Sequence, residues 1–203
     1  MRGLYVITTE SKTRTHVDVC RAALEGTARL IQYREKHKAF DEMLKEATEI
    51  KKLCKQYNAT FIINDWLELA EKIDADGVHL GQDDSDIEKA RRELPGKIIG
   101  LSATSLDEAV EAEAKGADYI GAGPVFETPS KNDAAPPFGL NTLAEIIRQV
   151  SVPIVAIGGI TKENMASVLE AGADCLAMIS AVAGADDMVK ATRDLMNEFT
   201  AKC

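Results

Sequence analysis

The chain has 203 residues, of which 45% are apolar and 28% charged, and its formal net charge is −9 at pH 7. This length suits one domain with a large core, so we expect a single domain over residues 1–203. The acidic balance argues against a nucleic-acid partner, because such proteins usually carry a basic stripe. Any anionic ligand must therefore be held by a local cluster of positive groups.

Membrane, secretion and disulfide signals are missing from the sequence. No run of about 18 apolar residues could span a membrane, and residues 1–8 carry no cleavage-site pattern. We therefore expect a cytoplasmic protein without a membrane partner. The four cysteines include no Cys-x-x-Cys pair, which argues against a disulfide scaffold and a zinc site.

Short apolar runs rich in Val and Ile alternate with longer stretches of helix-forming residues. Eight runs occur, at residues 4–8, 29–35, 60–65, 77–81, 98–102, 119–126, 153–159 and 175–180. Helical stretches between them include 40–57, 106–115 and 162–171. Near-continuous apolar strands that alternate with helices predict a parallel sheet covered on its faces.

Eight strand–helix units could close into a barrel or lie open as a doubly wound sheet. The count of eight favours the barrel, as does the clustering of polar and glycine residues just after several runs, which is typical of one rim. No Gly-x-Gly-x-x-Gly follows the first strand, so the open dinucleotide-binding sheet lacks its marker. We predict an α/β protein, a single (β/α)8 TIM barrel.

The end of the second strand carries the first candidate site. Alternate residues of a strand share a face, so Gln32, Arg34 and Lys36 should point the same way. Two cations and an amide at a barrel mouth would hold a phosphate or a diphosphate. The alternative is a solvated charge pair, but an unpaired inward charge directly after an apolar strand would be costly.

Carboxylates follow the third and fourth strands. Asp65 with Asp83 or Asp84 would suit Mg²⁺, which prefers oxygen ligands. Helix capping is the alternative for these residues and for Asn64, and the sequence alone does not decide between the two. His79, in the fourth strand, is interpreted as structural.

Hydroxyl, amide and lysine groups follow strands five to eight, where this barrel class commonly binds phosphate. They are Ser102, Thr128, Ser130, Lys131, Gly159, Ile179 and Ser180. The long irregular segment at residues 127–140 is a candidate lid over the site. By contrast, the Asp residues at 76, 118 and 174 belong to similar helix-to-strand connections, which we interpret as a reused connection without functional content.

The motifs together resemble the thiamine phosphate synthase family. The resemblance rests on segments 32–36, 64–65, 77–84, 123–131, 153–160 and 178–180, which stand in family order over nearly the whole chain. It implies two small-molecule substrates, a pyrimidine carrying a diphosphate and a thiazole carrying a phosphate. Diphosphate would leave first, and the thiazole nitrogen would then attack the pyrimidine methyl cation.

The resemblance also implies residue roles. The pyrimidine diphosphate would be bound by Gln32, Arg34, Lys36, Asn64, Ser102 and Lys131. Asp65 and Asp84 would hold Mg²⁺. The thiazole phosphate would be bound by Thr128, Ser130, Gly159, Ile179 and Ser180. Tyr33, Glu35 and Pro129 belong to the same binding segments, and Arg34, Lys36, Ser102 and Lys131 would be catalytic.

Two rival functions remain open at this stage. The thiazole tautomerases share the barrel, but they typically carry a His in the sixth-strand segment, which here has none at residues 121–124. A non-catalytic ligand-binding barrel would not need a metal site and a leaving-group clamp together. The sequence leaves open whether the chain forms a homo-oligomer.

Overall fold

The computed structural model describes residues 1–81, 87–128 and 135–202. Eight parallel strands close into a barrel in sequence order, so each pairs with its neighbours in the chain and β8 pairs with β1. The strands are β1 Gly3–Ile7, β2 Leu30–Tyr33, β3 Thr60–Asn64, β4 Gly77–Leu80, β5 Ile98–Ala103, β6 Tyr119–Ala122, β7 Ile154–Ala156 and β8 Cys175–Met178. The predicted (β/α)8 barrel is confirmed.

Helices follow the strands and cover the outside of the barrel. They are α1 His16–Glu25, α2 Phe40–Gln56, α3 Leu67–Lys72, α4 Ile87–Glu93, α5 Leu106–Ala114, α6 Gly139–Gln149, α7 Met165–Glu170, α8 Ser180–Ala183 and α9 Met188–Lys202. The first helix begins with a capping box between Thr15 and Asp18, which satisfies the backbone amides of its first turn. Within the described residues, none of the helices is long and apolar enough to cross a membrane.

Several strands end earlier than the apolar runs predicted. The run at 29–35 gives a strand only over Leu30–Tyr33, and the run at 119–126 gives one only over Tyr119–Ala122. The last residues of each run leave the strand ladder and form the rim. Apolar content marks these residues as buried, but it does not show where the backbone stops pairing.

The core has two parts because alternate strand residues point to opposite faces. The smaller part fills the barrel and consists of Tyr5, Ile7, Leu30, Ile62, Tyr119, Val155, Cys175 and Ala177. The larger part lies between the strands and the helices. Every strand is therefore covered on both faces, which explains why the runs are almost continuously apolar.

The three similar connections share one hydrogen-bond pattern. The carboxylates of Asp76, Asp118 and Asp174 accept from the backbone amides of Phe61, Ile99 and Ile154, at 2.7, 2.7 and 3.2 Å. Each carboxylate stands before one strand and reaches the amide near the start of the preceding strand. The repeated Asp therefore joins neighbouring strands at the end of the barrel opposite the rim, which agrees with a structural interpretation.

This pattern predicts a stability effect without a kinetic one. Replacing Asp76 by Ala removes one acceptor from the Phe61 amide, so the free energy of unfolding should fall by roughly 1 kcal/mol. Chemical denaturation measures this change. Glu111→Ala, in an exposed pair with Lys115, is the control and should change stability much less. Altered substrate affinity in Asp76→Ala would contradict the structural assignment.

Candidate active site

A cavity of about 310 Å³ opens at the carboxyl ends of the strands, where this barrel class places its chemistry. Its size lies at the lower end of small-molecule sites. The predicted residues that line it are Gln32, Arg34, Lys36, Asn64, Asp65, Ser102, Thr128, Gly159, Ile179 and Ser180. Asp83, Asp84, Pro129, Ser130 and Lys131 lie outside the described residues, as do residues 129–134 of the predicted lid as a whole.

The side chains at the end of β2 and directly after it alternate between two faces, as the sequence predicted. Gln32, Arg34 and Lys36 line the cavity, whereas Tyr33 and Glu35 do not. The Tyr33 hydroxyl donates to Glu46 of α2 at 2.7 Å. The side chains of Tyr33 and Glu35 thus point to the outer face, toward α2 and α1, and their part in substrate binding stays a prediction that this placement does not support.

Glu35 instead organises the turn that carries the cations. Its Oε1 accepts from the backbone amides of His37 and Lys38, at 2.6 and 3.3 Å. Its Oε2 lies 3.1 Å from Nε2 of the buried His16. Burial acts to raise the pKa of Glu35, but the hydrogen bonds from the His37 amide and His16 outweigh it and hold that pKa below its ordinary value. The ionised Glu35 carboxylate thus fixes the turn that carries Arg34 and Lys36.

At the end of β3, Asp65 has an uncommon backbone conformation. Its φ is 64°, in the left-handed region that residues other than glycine adopt infrequently. Its Oδ2 accepts from the side-chain Nδ2 of Asn64 at 2.5 Å and lies 3.7 Å from Lys36 Nζ. The N-cap of α3 is Trp66, which makes no side-chain capping bond. Capping therefore does not explain this pair, and the Asp65 carboxylate stands beside Lys36 at the edge of the cavity.

The donor set at Asp65 fits a hard cation, since it offers carboxylate oxygen at the edge of the cavity. A second group of metal-ligand type exists elsewhere among the described residues, with the ligand atoms of Glu10, His16 and Glu35 within 4.8 Å of one another. There the Glu35 carboxylate faces His16 and the Glu10 carboxylate pairs with Lys38 at 2.8 Å. Ion pairing already accounts for that group.

Two glycines in the loop after β7, Gly158 and Gly159, line the cavity. Gly158 and Gly159 have φ values of 99° and 63°, and a Cβ on Gly159 would lie 2.3 Å from the Glu127 carbonyl oxygen. A Cβ on Gly158 would likewise lie 2.5 Å from Pro124 Cα, so these clashes with neighbouring backbone restrict both positions to glycine. Their amides donate to no acceptor within residues 1–81, 87–128 and 135–202. The Asn164 side chain fixes the loop through Gly159 and Thr161, at 2.9 and 2.8 Å. Successive free amides of this kind form anion-binding concavities.

Sequence reasoning missed two contributors. His79 lines the cavity, although it was interpreted as structural. Its position could have been found from the strand register, because it pairs with Asn64 and Gly100 and follows Gly77 by two residues, on the inward face. Gly121 makes room for it, since a Cβ there would lie 2.9 Å from His79 Cε1. Asn164 had no comparable signal, because it acts from a loop.

Comparison with known proteins agrees with this geometry. The sequence model of the family described as thiamine monophosphate synthase matches residues 4–182. The chain belongs to the thiamine monophosphate synthase family. Thiamine-phosphate synthase of Methanocella arvoryzae is 50% identical over 195 residues, covering 95% of this chain and 92% of its own length.

Two further relatives extend this finding. Thiamine-phosphate synthase of Chloroflexus aurantiacus is 48% identical over 194 residues, covering 95% of this chain and 90% of its own. The solved structure of thiamine phosphate pyrophosphorylase from Pyrococcus furiosus superposes with a TM-score of 0.93 at 45% identity, covering 98% of this chain and 96% of that one. The family resemblance predicted from the motifs is therefore confirmed.

The Glu35 network predicts a pH-dependent stability effect. Replacing Glu35 by Gln removes charge-assisted acceptors, so the free energy of unfolding at pH 7 should fall by roughly 1.5–3 kcal/mol. A carboxyl whose pKa is depressed by folding contributes stability above its unfolded pKa and loses it as pH falls through its folded pKa. Denaturation curves should therefore show the gap to the parent protein narrowing upon acidification below about pH 4.

Glu49→Gln is the matched control, since Glu49 makes only an exposed pair with Arg21 at 3.6 Å. It should be nearly neutral. A gap for Glu35→Gln that stays constant at all acidic pH values would show that the anchor does not depend on ionisation.

Proposed function

We propose that this protein is a thiamine phosphate synthase, which joins a pyrimidine diphosphate to a thiazole phosphate and releases pyrophosphate. One observation carries the proposal: one small cavity has Arg34 and Lys36 on the β2 side and, on the β7 side, glycine amides that donate to no acceptor among the described residues. Two phosphorylated substrates can bind these two regions at once. Family membership and the names of the relatives support the same reaction.

The chemistry fits the residues present. The bond between the pyrimidine methylene carbon and the diphosphate oxygen breaks, and its electron pair leaves with pyrophosphate. The thiazole nitrogen then supplies its lone pair to the same carbon, giving thiamine phosphate. Arg34 and Lys36 stabilise the charge that develops on the leaving oxygens. The reaction needs no protein nucleophile, and holding both substrates in contact accelerates the second step.

The other site residues are assigned by where they lie. Gln32, Asn64 and Ser102 stand on the β2–β5 side of the cavity with the cations, and we assign them to the pyrimidine diphosphate. Thr128, Gly159, Ile179 and Ser180 stand near the glycine amides, and we assign them to the thiazole phosphate. Ser130 and Lys131 keep the roles that the sequence motif predicts for them.

We further propose Mg²⁺ as the cofactor, held by Asp65 together with Asp84. The position of the Asp65 carboxylate at the cavity edge supports the first ligand, and the sequence motif alone supports the second. When bound, the ion neutralises charge on the diphosphate. Lys36, 3.7 Å from Asp65, stands where it can interact with both the carboxylate and a diphosphate.

The decisive assay supplies both substrates and Mg²⁺ to the purified protein and measures pyrophosphate and thiamine phosphate. The expected result is equal release of both products. In the same assay, Arg34→Ala should lose about 10²–10³-fold in kcat/KM, the usual cost of one donor to transition-state charge. Arg29→Ala is the control, because Arg29 precedes β2, at the opposite end, and bonds the Leu24 and Ala28 carbonyls.

Two outcomes would contradict the proposal. Isomerisation of a thiazole carboxylate without pyrophosphate release would favour the tautomerase function. Binding of both substrates without any product would favour a ligand-binding barrel. An equal loss of activity in Arg29→Ala would show that the Arg34 effect does not arise in the cavity.

The metal assignment has its own test. Asp65→Asn keeps the shape of the side chain but removes its charge, so the Mg²⁺ concentration that gives half-maximal activity should rise about 10- to 100-fold, as for other altered metal sites. Glu10→Gln, in the separate His–Glu group, should leave that concentration unchanged. The reverse result would place the metal at Glu10, His16 and Glu35.

A further inference from the structure

Five polar side chains form a continuous hydrogen-bonded chain beneath the cavity. In order they are Gln32, Tyr5, Tyr119, His79 and Ser102, and we call them the barrel relay. The successive distances are 3.0 Å from Gln32 Nε2 to the Tyr5 hydroxyl, 3.0 Å to the Tyr119 hydroxyl, 2.9 Å to His79 Nδ1, and 3.0 Å from His79 Nε2 to Ser102 Oγ. Its two ends line the cavity, whereas the two tyrosines lie below it.

The packing fixes the rings of the relay. The rings of His79 and Tyr119 stack with centroids 5.4 Å apart, and those of Tyr5 and Tyr119 meet edge to face at 6.1 Å. Two glycines make the space: a Cβ on Gly100 would lie 2.1 Å from Tyr119 Cζ, and one on Gly121 would lie 2.9 Å from His79 Cε1. The rings therefore have little freedom to move away from one another.

The hydrogens of the relay can be placed by counting donors. Burial raises the pKa of both tyrosines well above the ordinary value, so each hydroxyl keeps its single hydrogen. Tyr5 already accepts from Gln32 Nε2, so its own hydrogen must go to Tyr119. Tyr119 must then donate to His79 Nδ1. With the Gln32 amide in this orientation, any other arrangement leaves a fully buried hydroxyl hydrogen without an acceptor, which native structures avoid.

The last link follows from the chemistry of imidazole. A neutral ring carries one hydrogen, and Nδ1 is already the acceptor for Tyr119, so the hydrogen of His79 is on Nε2. Ser102 Oγ therefore accepts from His79, and the Ser102 hydroxyl directs its own hydrogen away from that ring. If the Gln32 amide turned over, with its carbonyl toward Tyr5, every link would reverse and Ser102 would donate to His79.

We propose that His79 is a positioning residue for the pyrimidine ring, because the barrel relay couples the orientation of the Gln32 amide on one wall to that of the Ser102 hydroxyl on the other. The Gln32 carbonyl then serves as an acceptor and the Ser102 hydroxyl as a donor toward one ring. A heteroaromatic ring with an amino group and an unprotonated ring nitrogen matches that pair. The identity of this ring rests on the proposed function, whereas the state of His79 does not.

The first test needs neither substrate nor activity. Nitrogen-15 NMR of the ligand-free protein distinguishes the two tautomers, and the three histidines can be assigned with His79→Gln. We expect the hydrogen of His79 on Nε2. Tyr119→Phe and Tyr5→Phe should each shift the His79 signals toward a mixture of tautomers. A hydrogen on Nδ1 in the unaltered protein, or His79 signals unaffected by both substitutions, would overturn the proposal.

The second test is kinetic. Either tyrosine substitution alone interrupts the hydrogen-bonded chain, so a second substitution should have no further effect on it. Each tyrosine variant should raise the KM for the pyrimidine diphosphate about tenfold, as for one lost substrate hydrogen bond, and leave the KM for the thiazole phosphate unchanged. The double variant should equal the single ones. Multiplied effects in the double variant, or equal rises in both KM values, would show that the tyrosines act independently through packing.

Thr192→Val is the control for stability. It removes a buried hydroxyl that donates to the Met188 carbonyl on α9, away from the relay. It should lower stability without changing either KM. If no turnover is found at all, the proposed function fails, but the NMR result still decides whether the relay exists.

Discussion

Closure of eight parallel strands is the constraint on which the site depends. In a closed barrel every second residue of each strand points inward, so only these alternate residues build the interior. Deep in the barrel those positions are Leu30, Ile62 and other apolar side chains. Two residues further along the same strands, Gln32 and Asn64 reach the cavity. The alternation that places apolar side chains in the core therefore also places polar side chains in the cavity. On β2 and β3, core and site are only two residues apart.

The same alternation separates ligand contacts from their supports. Arg34 and Lys36 face the cavity, while the intervening Glu35 faces outward, where the buried His16 and two backbone amides hold it. An anion site on a chain with a net charge of −9 needs cations that are held in place. Glu35, between the two cations, holds their backbone in place from the outer face of the barrel, and its own charge points away from the cavity.

Stability and chemistry occupy opposite ends of the barrel. The carboxylates of Asp76, Asp118 and Asp174 join neighbouring strands at the amino-terminal ends of the strands. The strained Asp65 and the left-handed Gly158 and Gly159 lie at the other end. Strain at the rim is sustained because the rest of the barrel is closely packed. Residues from strands far apart in sequence can therefore hold one small cavity, as the barrel relay does.

The sequence by itself determined the barrel, the face on which Gln32, Arg34 and Lys36 lie, and the family, because periodicity and ordered motifs are local properties of a chain. The tertiary structure decided the rest. Within the predicted binding segment it turned the side chains of Tyr33 and Glu35 to the outer face, toward α2 and α1, since alternation acts on every residue of a motif alike. It also brought Tyr5 and Tyr119, which are 114 positions apart, into hydrogen-bond contact beneath His79. Such contacts depend on how strands pair and on where Gly100 and Gly121 leave space, and no short-range pattern contains that information.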